Sequence, residues 1–276
     1  VGNDIGCGMG LWRTELKAKK LKLEKWAAKL HLDGPWEGDT AAWLKSYDLP
    51  VDLFRESMGT IGGGNHFAEL QQVETLYDPS ACAALGVGTE RVYLMVHSGS
   101  RGLGHEILRR HVDRFCDAGL AVGSVDAADY LARHDQAVTW AVANRALIAE
   151  RVLSALRSAG QNIFDLAHNT VTAQTVVGKT HWLHRKGAAP SDQGVLVIPG
   201  SRGTYSYLVR STGVVDGLEN AFSLAHGAGR KWIRSQVKAR LAKYRVDDFL
   251  KTDLGGRVIC EDKALMFEEA AGLQEH

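Results

Sequence analysis

Apolar and polar positions along the chain fall into two kinds of run. Arg91-Val92-Tyr93-Leu94-Met95-Val96 is almost continuously apolar and rich in β-formers, the pattern of a buried strand. Ile163–Ala167 and Val195–Ile198 repeat it in shorter form, and His181–Ala188 reads as a strand leaving into a basic loop. Residues 104–120 and 126–158 show helical spacing, with the second helix expected to be interrupted. Residues 13–31 also read as a helix, with Leu16, Leu21, Leu23, Trp26 and Leu30 set among Lys17, Lys19, Lys20, Lys22, Lys25 and Lys29. A Gly/Pro/Asp loop over 33–40 precedes a short helix near 39–47. Neither tandem repeats nor low-complexity tracts interrupt the sequence. The expected fold is α+β: a single domain with a mixed or antiparallel β core flanked by helices.

Each predicted strand runs into a polar, glycine-rich loop. Val96 is followed by His97-Ser98-Gly99-Ser100-Arg101-Gly102-Leu103-Gly104-His105, and Ala167 by His168-Asn169. Ile198 is followed by Pro199-Gly200-Ser201-Arg202-Gly203-Thr204-Tyr205-Ser206. Gly59-Thr60-Ile61-Gly62-Gly63-Gly64-Asn65-His66-Phe67-Ala68-Glu69 joins a glycine run to an imidazole. Such a run can bring backbone N–H groups close to an anion. Ala225-His226-Gly227-Ala228-Gly229-Arg230 is expected to open a helix. Strands that each deliver one polar loop to a common edge suggest one central site.

Composition narrows the partners. The chain has 276 residues, 45% hydrophobic and 24% charged, enough for one large domain. No apolar run is long enough to span a membrane. The net charge of +1 gives no bulk attraction to nucleic acid, so an RNA partner would need local patches. The four cysteines, Cys7, Cys82, Cys116 and Cys260, form no CxxC pair. That argues against a zinc ribbon or a disulfide scaffold and fits a reducing cytoplasm. The chain opens on Val1, directly in a glycine-rich motif, so upstream residues are expected to be missing.

Asp4 and Cys7 lie in Val1-Gly2-Asn3-Asp4-Ile5-Gly6-Cys7-Gly8-Met9-Gly10, a turn that can aim a carboxylate and a thiolate at one point. With His66, His97 and His168 they make a candidate set of five ligands. Five exceed the need of a closed tetrahedral site and suit two neighbouring ions sharing the thiolate. Paired ions usually act on phosphoryl groups. His226 is left over, placed where it could be a nucleophile. The bland reading of each piece remains open here: a buried cysteine in a turn, packed histidines, a solvated lysine face. The lysine motif of nucleotidyl transfer, K-x-D-G, has only Lys251-Thr252-Asp253-Leu254 as its nearest string, without the glycine.

Taken in order, N-D-I-G-C-G at 3–8, G-T-I-G-G-G-N-H-F-A-E at 59–69, H-S-G-S-R-G-L-G-H at 97–105, H-N at 168–169, H-R-K-G-A at 184–188, I-P-G-S-R-G-T at 198–204 and H-G-A-G-R at 226–230 resemble the RtcB-type RNA ligases. The resemblance implies one RtcB-like ligase domain over 1–276 without that family's terminal segments. It implies GTP- and manganese-dependent joining of an RNA 3′-phosphate or 2′,3′-cyclic phosphate end to a 5′-hydroxyl, as in RNA repair or tRNA splicing. Two Mn(2+) ions would share Cys7, with His97 and His168 on one and Asp4 and His66 on the other. His226 would carry GMP. Asn65, Glu69, Asn169, Pro199, Ser201, Ser206, Gly227, Ala228, Gly229 and Arg230 would hold the nucleotide. Arg101, Arg185, Lys186 and Arg234 would contact RNA or its phosphates, and an accessory activating protein is a conceivable partner.

The chain departs from the family pattern at Arg202, where Met is usual, and after Ala188. It also shows no Tyr-Lys-Asp segment beyond Ala271, and Lys263 is no obvious substitute for its guanine-contacting lysine. Alternatives are a metal-dependent phosphoesterase acting on cyclic-phosphate ends, or a scaffold that binds RNA ends with a vestigial site.

Overall fold

The computed structural model describes residues 2–30, 32, 34–211, 219–227, 249–260, 262 and 265–266. Its centre is a four-stranded antiparallel sheet of β1 (Gly8–Lys17), β2 (Phe67–Gln72), β3 (Arg91–Ser98) and β4 (Gly160–Ala167), in the order β2-β3-β1-β4. β5 (Asn169–Val176) pairs with β6 (Lys179–Lys186), β8 (Val195–Ile198) with β9 (Tyr207–Arg210), and β7 (Ala188–Pro190) with β10 (Ser223–Ala225), all antiparallel. The helices are α1 (Leu23–Ala27), α2 (Thr40–Lys45), α3 (Pro79–Ala84), α4 (Gly102–Phe115) and α5 (Val125–Leu156). This is the α+β fold that the patterning predicts.

Two predicted helices require correction. The segment expected to be helical over 13–31 begins as the second half of β1, and among its described residues helix is limited to a 3-10 turn over Ala18–Lys20 and to α1. The reason is position: Gly8 to Trp12 are all buried between β3 and β4, and from Trp12 to Glu15 burial alternates with the strand period of two. Pairing on both edges outweighs the helical spacing of the later leucines and lysines. The expected break within 126–158 is also absent, since α5 runs unbroken for 32 residues. It carries no proline, and Ser124 caps its start by accepting from the Ala127 N–H at 3.1 Å.

α5 is the spine of the molecule. Ala137, Trp140, Ala143 and Leu147 pack into one cluster with Ile5, Leu44, Met58, Leu103 and Ile107. Ile148, Ala149, Val152, Leu153 and Leu156 pack into a second with Trp12, Trp26, Leu94 and Val96. A third cluster, of Met9, Leu11, Tyr93, Met95 and Val197, lies apart from α5. Strand alternation therefore sorts β3: Leu94 and Val96 face α5, whereas Tyr93 and Met95 face away. His97 continues the second row and Ser98 the first.

Candidate metal centre

Strand register brings the ligand-type residues together at one end of the sheet. Met9 stands opposite His97 and Leu166, and Gly8 opposite Ser98 and Ala167. Phe67 stands opposite His97 from the other side. One residue past each of these strand ends lie Cys7, His66 and His168. The His168 N–H donates to the Cys7 carbonyl at 2.7 Å, fixing that corner. Gly6, at φ +72°, lets the preceding turn pass under α5; a Cβ there would stand 2.9 Å from Ala141 Cβ and Val138 Cα.

The side chains meet. Cys7 Sγ lies 3.2 Å from His97 Nε2 and 3.4 Å from His66 Nε2. His97 Nε2 lies 3.2 Å from His168 Nε2, and His66 Nε2 lies 2.9 Å from Asp4 Oδ2. His226 closes the far side, its ring centroid 4.2 Å from that of His168 and 6.1 Å from that of His97. Cys7, His66 and His97 form one group able to hold an ion, and His97, His168 and His226 a second, each with its donor atoms within 4.8 Å of one another.

The proton positions suit a cation. His97 Nδ1 faces the Asn65 carbonyl at 2.8 Å, and a carbonyl only accepts, so Nδ1 carries the hydrogen and Nε2 is a bare lone pair. That lone pair points at a sulfur and at a second ring nitrogen, a crowding that a shared cation would resolve. Donor atoms around one ion at about 2.0–2.3 Å stand roughly 3–4 Å apart, the spacing seen between these donors. Burial drives His97 and His168 well below the usual imidazole range, so both are neutral and ready to ligate. Burial, then the Asp4 charge, pushes the Cys7 thiol well up, so a thiolate there calls for a cation beside it. For Asp4 burial works upward, but the hydrogen bond and charge of His66 outweigh it and the carboxyl ends below its ordinary value. His66 Nδ1 is buried without a hydrogen-bond partner among the described residues.

His226 is held the same way as His97. Its Nδ1–H donates to the Gly187 carbonyl at 2.8 Å, leaving Nε2 as the free lone pair. Burial lowers its pKa, so the ring is neutral near pH 7. β10 delivers it opposite the turn between β6 and β7.

The remaining predicted residues divide. The Asn169 amide bridges the site, donating to the Asp4 carbonyl at 3.0 Å and accepting from the Gly187 N–H at 2.7 Å. Gln71 links Glu69 to Ser206, at 3.2 and 3.3 Å, and the Ser206 hydroxyl accepts from the Gly200 N–H at 3.2 Å. Pro199 and Ser201 are buried beside them, and Pro199 Cγ lies 3.4 Å from where a side chain on Gly227 would begin. The Arg101 guanidinium lies over Gly62, where any side chain would collide with it. Lys186 is exposed. Arg185 is not open to a substrate as placed: it is 3% exposed, and its guanidinium donates to Ser223 Oγ, Thr172 Oγ1 and the Phe222 carbonyl at 3.0–3.1 Å. Ala228, Gly229, Arg230, Arg234 and Lys263 lie outside the described residues, as does the helix expected after His226.

Comparison with known proteins places this arrangement. The family model described as "tRNA-splicing ligase RtcB" matches residues 48–273. The chain belongs to the RtcB family. It is 48% identical to the RNA-splicing ligase RtcB2 of Escherichia coli, over 98% of this chain and 71% of that one. It is 35% identical to the RNA-splicing ligase RtcB of Mycobacterium tuberculosis and 31% identical to the tRNA-splicing ligase RtcB of Methanococcus maripaludis. Those matches cover 67% and 77% of this chain, and 53% and 52% of the relatives. Among the described residues no helix is long and apolar enough to cross a membrane.

Two residues of this centre escape motif reading. Asn144 and Arg145 sit in the middle of α5, both fully buried, and both reach loops that carry ligand-type residues. The signal available in the sequence is a polar pair inside the otherwise apolar run from Ala141 to Ala149.

Proposed function

We propose that this RtcB-family chain joins RNA ends through a histidine–GMP intermediate, acting as one ligase-type domain over residues 1–276. The observation that carries the reading is the meeting of Asp4, Cys7, His66, His97 and His168 around one point, with the His226 ring against its edge. The donor set of sulfur, carboxylate and imidazole fits two divalent cations, manganese by family resemblance. Bound there, they would supply positive charge to phosphoryl oxygens.

His226 Nε2, bare because Nδ1–H is committed to Gly187, attacks the α-phosphorus of GTP. A P–N bond forms and pyrophosphate leaves. An oxygen of the RNA 3′-phosphate then attacks that phosphorus, breaking the P–N bond and returning the lone pair to His226. The RNA 5′-hydroxyl attacks the activated 3′-phosphate, forms the phosphodiester and releases GMP. A 2′,3′-cyclic phosphate must first be opened by water to enter this sequence. Asn65, Glu69, Ser201, Ser206 and residues 226–230 are assigned to the nucleotide; Arg101 and Lys186 are the cations assigned to phosphate and RNA. Cytoplasmic RNA repair or tRNA maturation is the setting this chemistry fits.

The test is transfer of label. Incubated with α-labelled GTP and manganese, the full chain acquires acid-labile label, and His226→Ala does not. Absence of label with every divalent ion tried, together with hydrolysis of cyclic-phosphate ends, would turn the assignment into that of a phosphoesterase.

A further inference from the structure

The role of α5 in the centre goes beyond packing. Arg145 is 0% exposed, and its guanidinium makes four hydrogen bonds in two directions. Nε donates to Asp165 Oδ2 at 2.8 Å and Nη2 to Asp165 Oδ1, a bidentate fork onto β4. Nη1 donates to the carbonyl of Gly6 at 2.7 Å and to that of Ser98 at 2.8 Å. Gly6 precedes Cys7, and Ser98 follows His97. One planar group therefore grips the backbone beside both ligands, from the side of the sheet opposite their side chains. The β1–β3 ladder ends at Gly8 and Ser98, so Arg145 takes over where strand pairing stops.

Asn144 does the same for the next loop. Its Oδ1 accepts from the Gly59 N–H at 2.7 Å, and its Nδ2 donates to the Thr60 carbonyl at 3.1 Å and to Ser98 Oγ at 3.2 Å. Ser98 Oγ in turn donates to the Ile61 carbonyl at 2.8 Å. The loop from Gly59 leads to His66. Two adjacent helix residues thus hold the backbone on three ligand-bearing segments.

A buried ion pair is a poor source of net stability, because desolvation offsets its attraction; apolar residues of the same volume often do as well. What Arg145 and Asp165 supply that an apolar pair cannot is direction. Arg, unlike Lys, can satisfy a carboxylate and two carbonyls at fixed angles simultaneously.

We propose that Asn144 and Arg145 are positioning residues of the metal centre, fixing the distance between Cys7 and His97 and the approach of His66. The inference rests on the assignment of those three side chains as ligands, and the experiment separates the two. The full chain, stripped of metal, is titrated with Co(II), and the near-ultraviolet sulfur-to-cobalt band and the affinity are recorded. The band should be present in the wild type and absent in Cys7→Ser. A wild type without the band overturns the ligand assignment, and with it the inference. With the band present, Arg145→Met should bind Co(II) about 10–100-fold more weakly with a shifted or weakened band, the range for changes that disorient ligands without removing them. Asn144→Ala should weaken binding less, and Arg145→Lys should fall between Arg145→Met and wild type. Leu153→Ala, on the same helix but in the core, should lower the melting temperature and leave band and affinity unchanged. Wild-type affinity and band in folded Arg145→Met overturn the proposal. Should that variant fail to fold, the same wild-type values in Arg145→Lys overturn it.

Discussion

Cys7, His97 and His168 project from the end of a four-stranded sheet backed by a 32-residue helix, whereas His226 leaves a three-residue strand paired with another of three. The first region is buried and cross-braced, with His97 1% and His168 2% exposed. The second is half-buried and built from short two-stranded pairs. The contrast matches the two tasks assigned to them. Ions need ligands fixed within tenths of an ångström, and a rigid support achieves that. A nucleophile that takes up and surrenders GMP needs one face open to solvent and substrates that come and go.

The sharpest way to break this comparison is to remove one group from each side. Cys7→Ser should abolish both metal binding and guanylylation. His226→Ala should cut guanylylation by at least about a thousandfold, the usual scale for losing a nucleophile, while leaving the affinity of the Cys7 group for metal within a few-fold. Isothermal titration with Mn(2+), beside label transfer from GTP, separates the two. Equal loss of metal in both variants would mean that the regions are one unit, with His226 a ligand like the rest.

Legibility in the sequence follows the same division. β3 was readable because it is buried on both faces and so reads as an unbroken apolar run. The loop after it was readable because Gly, Ser, Arg and His at a strand end have few structural reasons to occur together. β1 was not readable, although it is central: its glycines have no hydropathy signature, and its lysine-rich continuation mimics a helix face. Arg145 and Asn144 were hidden for a different reason. A charged residue in a helix is ordinarily solvated, and only the crossing of α5 behind the β1 and β3 ends shows what it touches. Arg185 is the opposite case. It lies in a basic motif that suggests RNA, yet β6 turns it inward onto Ser223 and Phe222.

That inward turn gives an intermediate effect. Arg185→Met removes three buried hydrogen bonds from the region around His226, worth about 1–3 kcal/mol if one partner is left unsatisfied. Amide exchange of 188–189 and 223–225 should quicken by roughly 5–160-fold, with that of β3 unchanged. RNA affinity should keep its dependence on salt. Lys186→Met, at an exposed position, should instead lower the slope of log affinity against log salt by about one and leave exchange alone. A lowered salt slope in Arg185→Met would restore it as a phosphate contact.

The smallest effect concerns pH and probes the braced side alone. His134 on α5 is 2% exposed, and burial holds its pKa below 6.5, against the hydrogen bond to Asp135 that works upward. Its Nε2 accepts from the Val171 N–H at 2.9 Å, so Nδ1 carries the hydrogen toward Asp135 Oδ1 at 2.8 Å. Protonating Nε2 would destroy the bond that ties β5 to the helix. Because the folded pKa lies below the unfolded value of about 6.5, the unfolded chain binds a proton that the folded one refuses. Stability from this group is therefore complete above about pH 6.5 and is lost as pH falls below it, by up to about 1.4 kcal/mol per unit until the folded pKa is reached. His97 and His168, also held low by burial, add the same sign in metal-free protein. His134→Gln keeps an acceptor for Val171 without a titrating ring. Urea melts in chelator at pH 7, 6 and 5 should show the variant losing less stability on acidification than wild type, by one proton's worth of slope. Identical slopes would mean that His134 titrates as it does in water, and that β5 is not fastened to α5 through this ring.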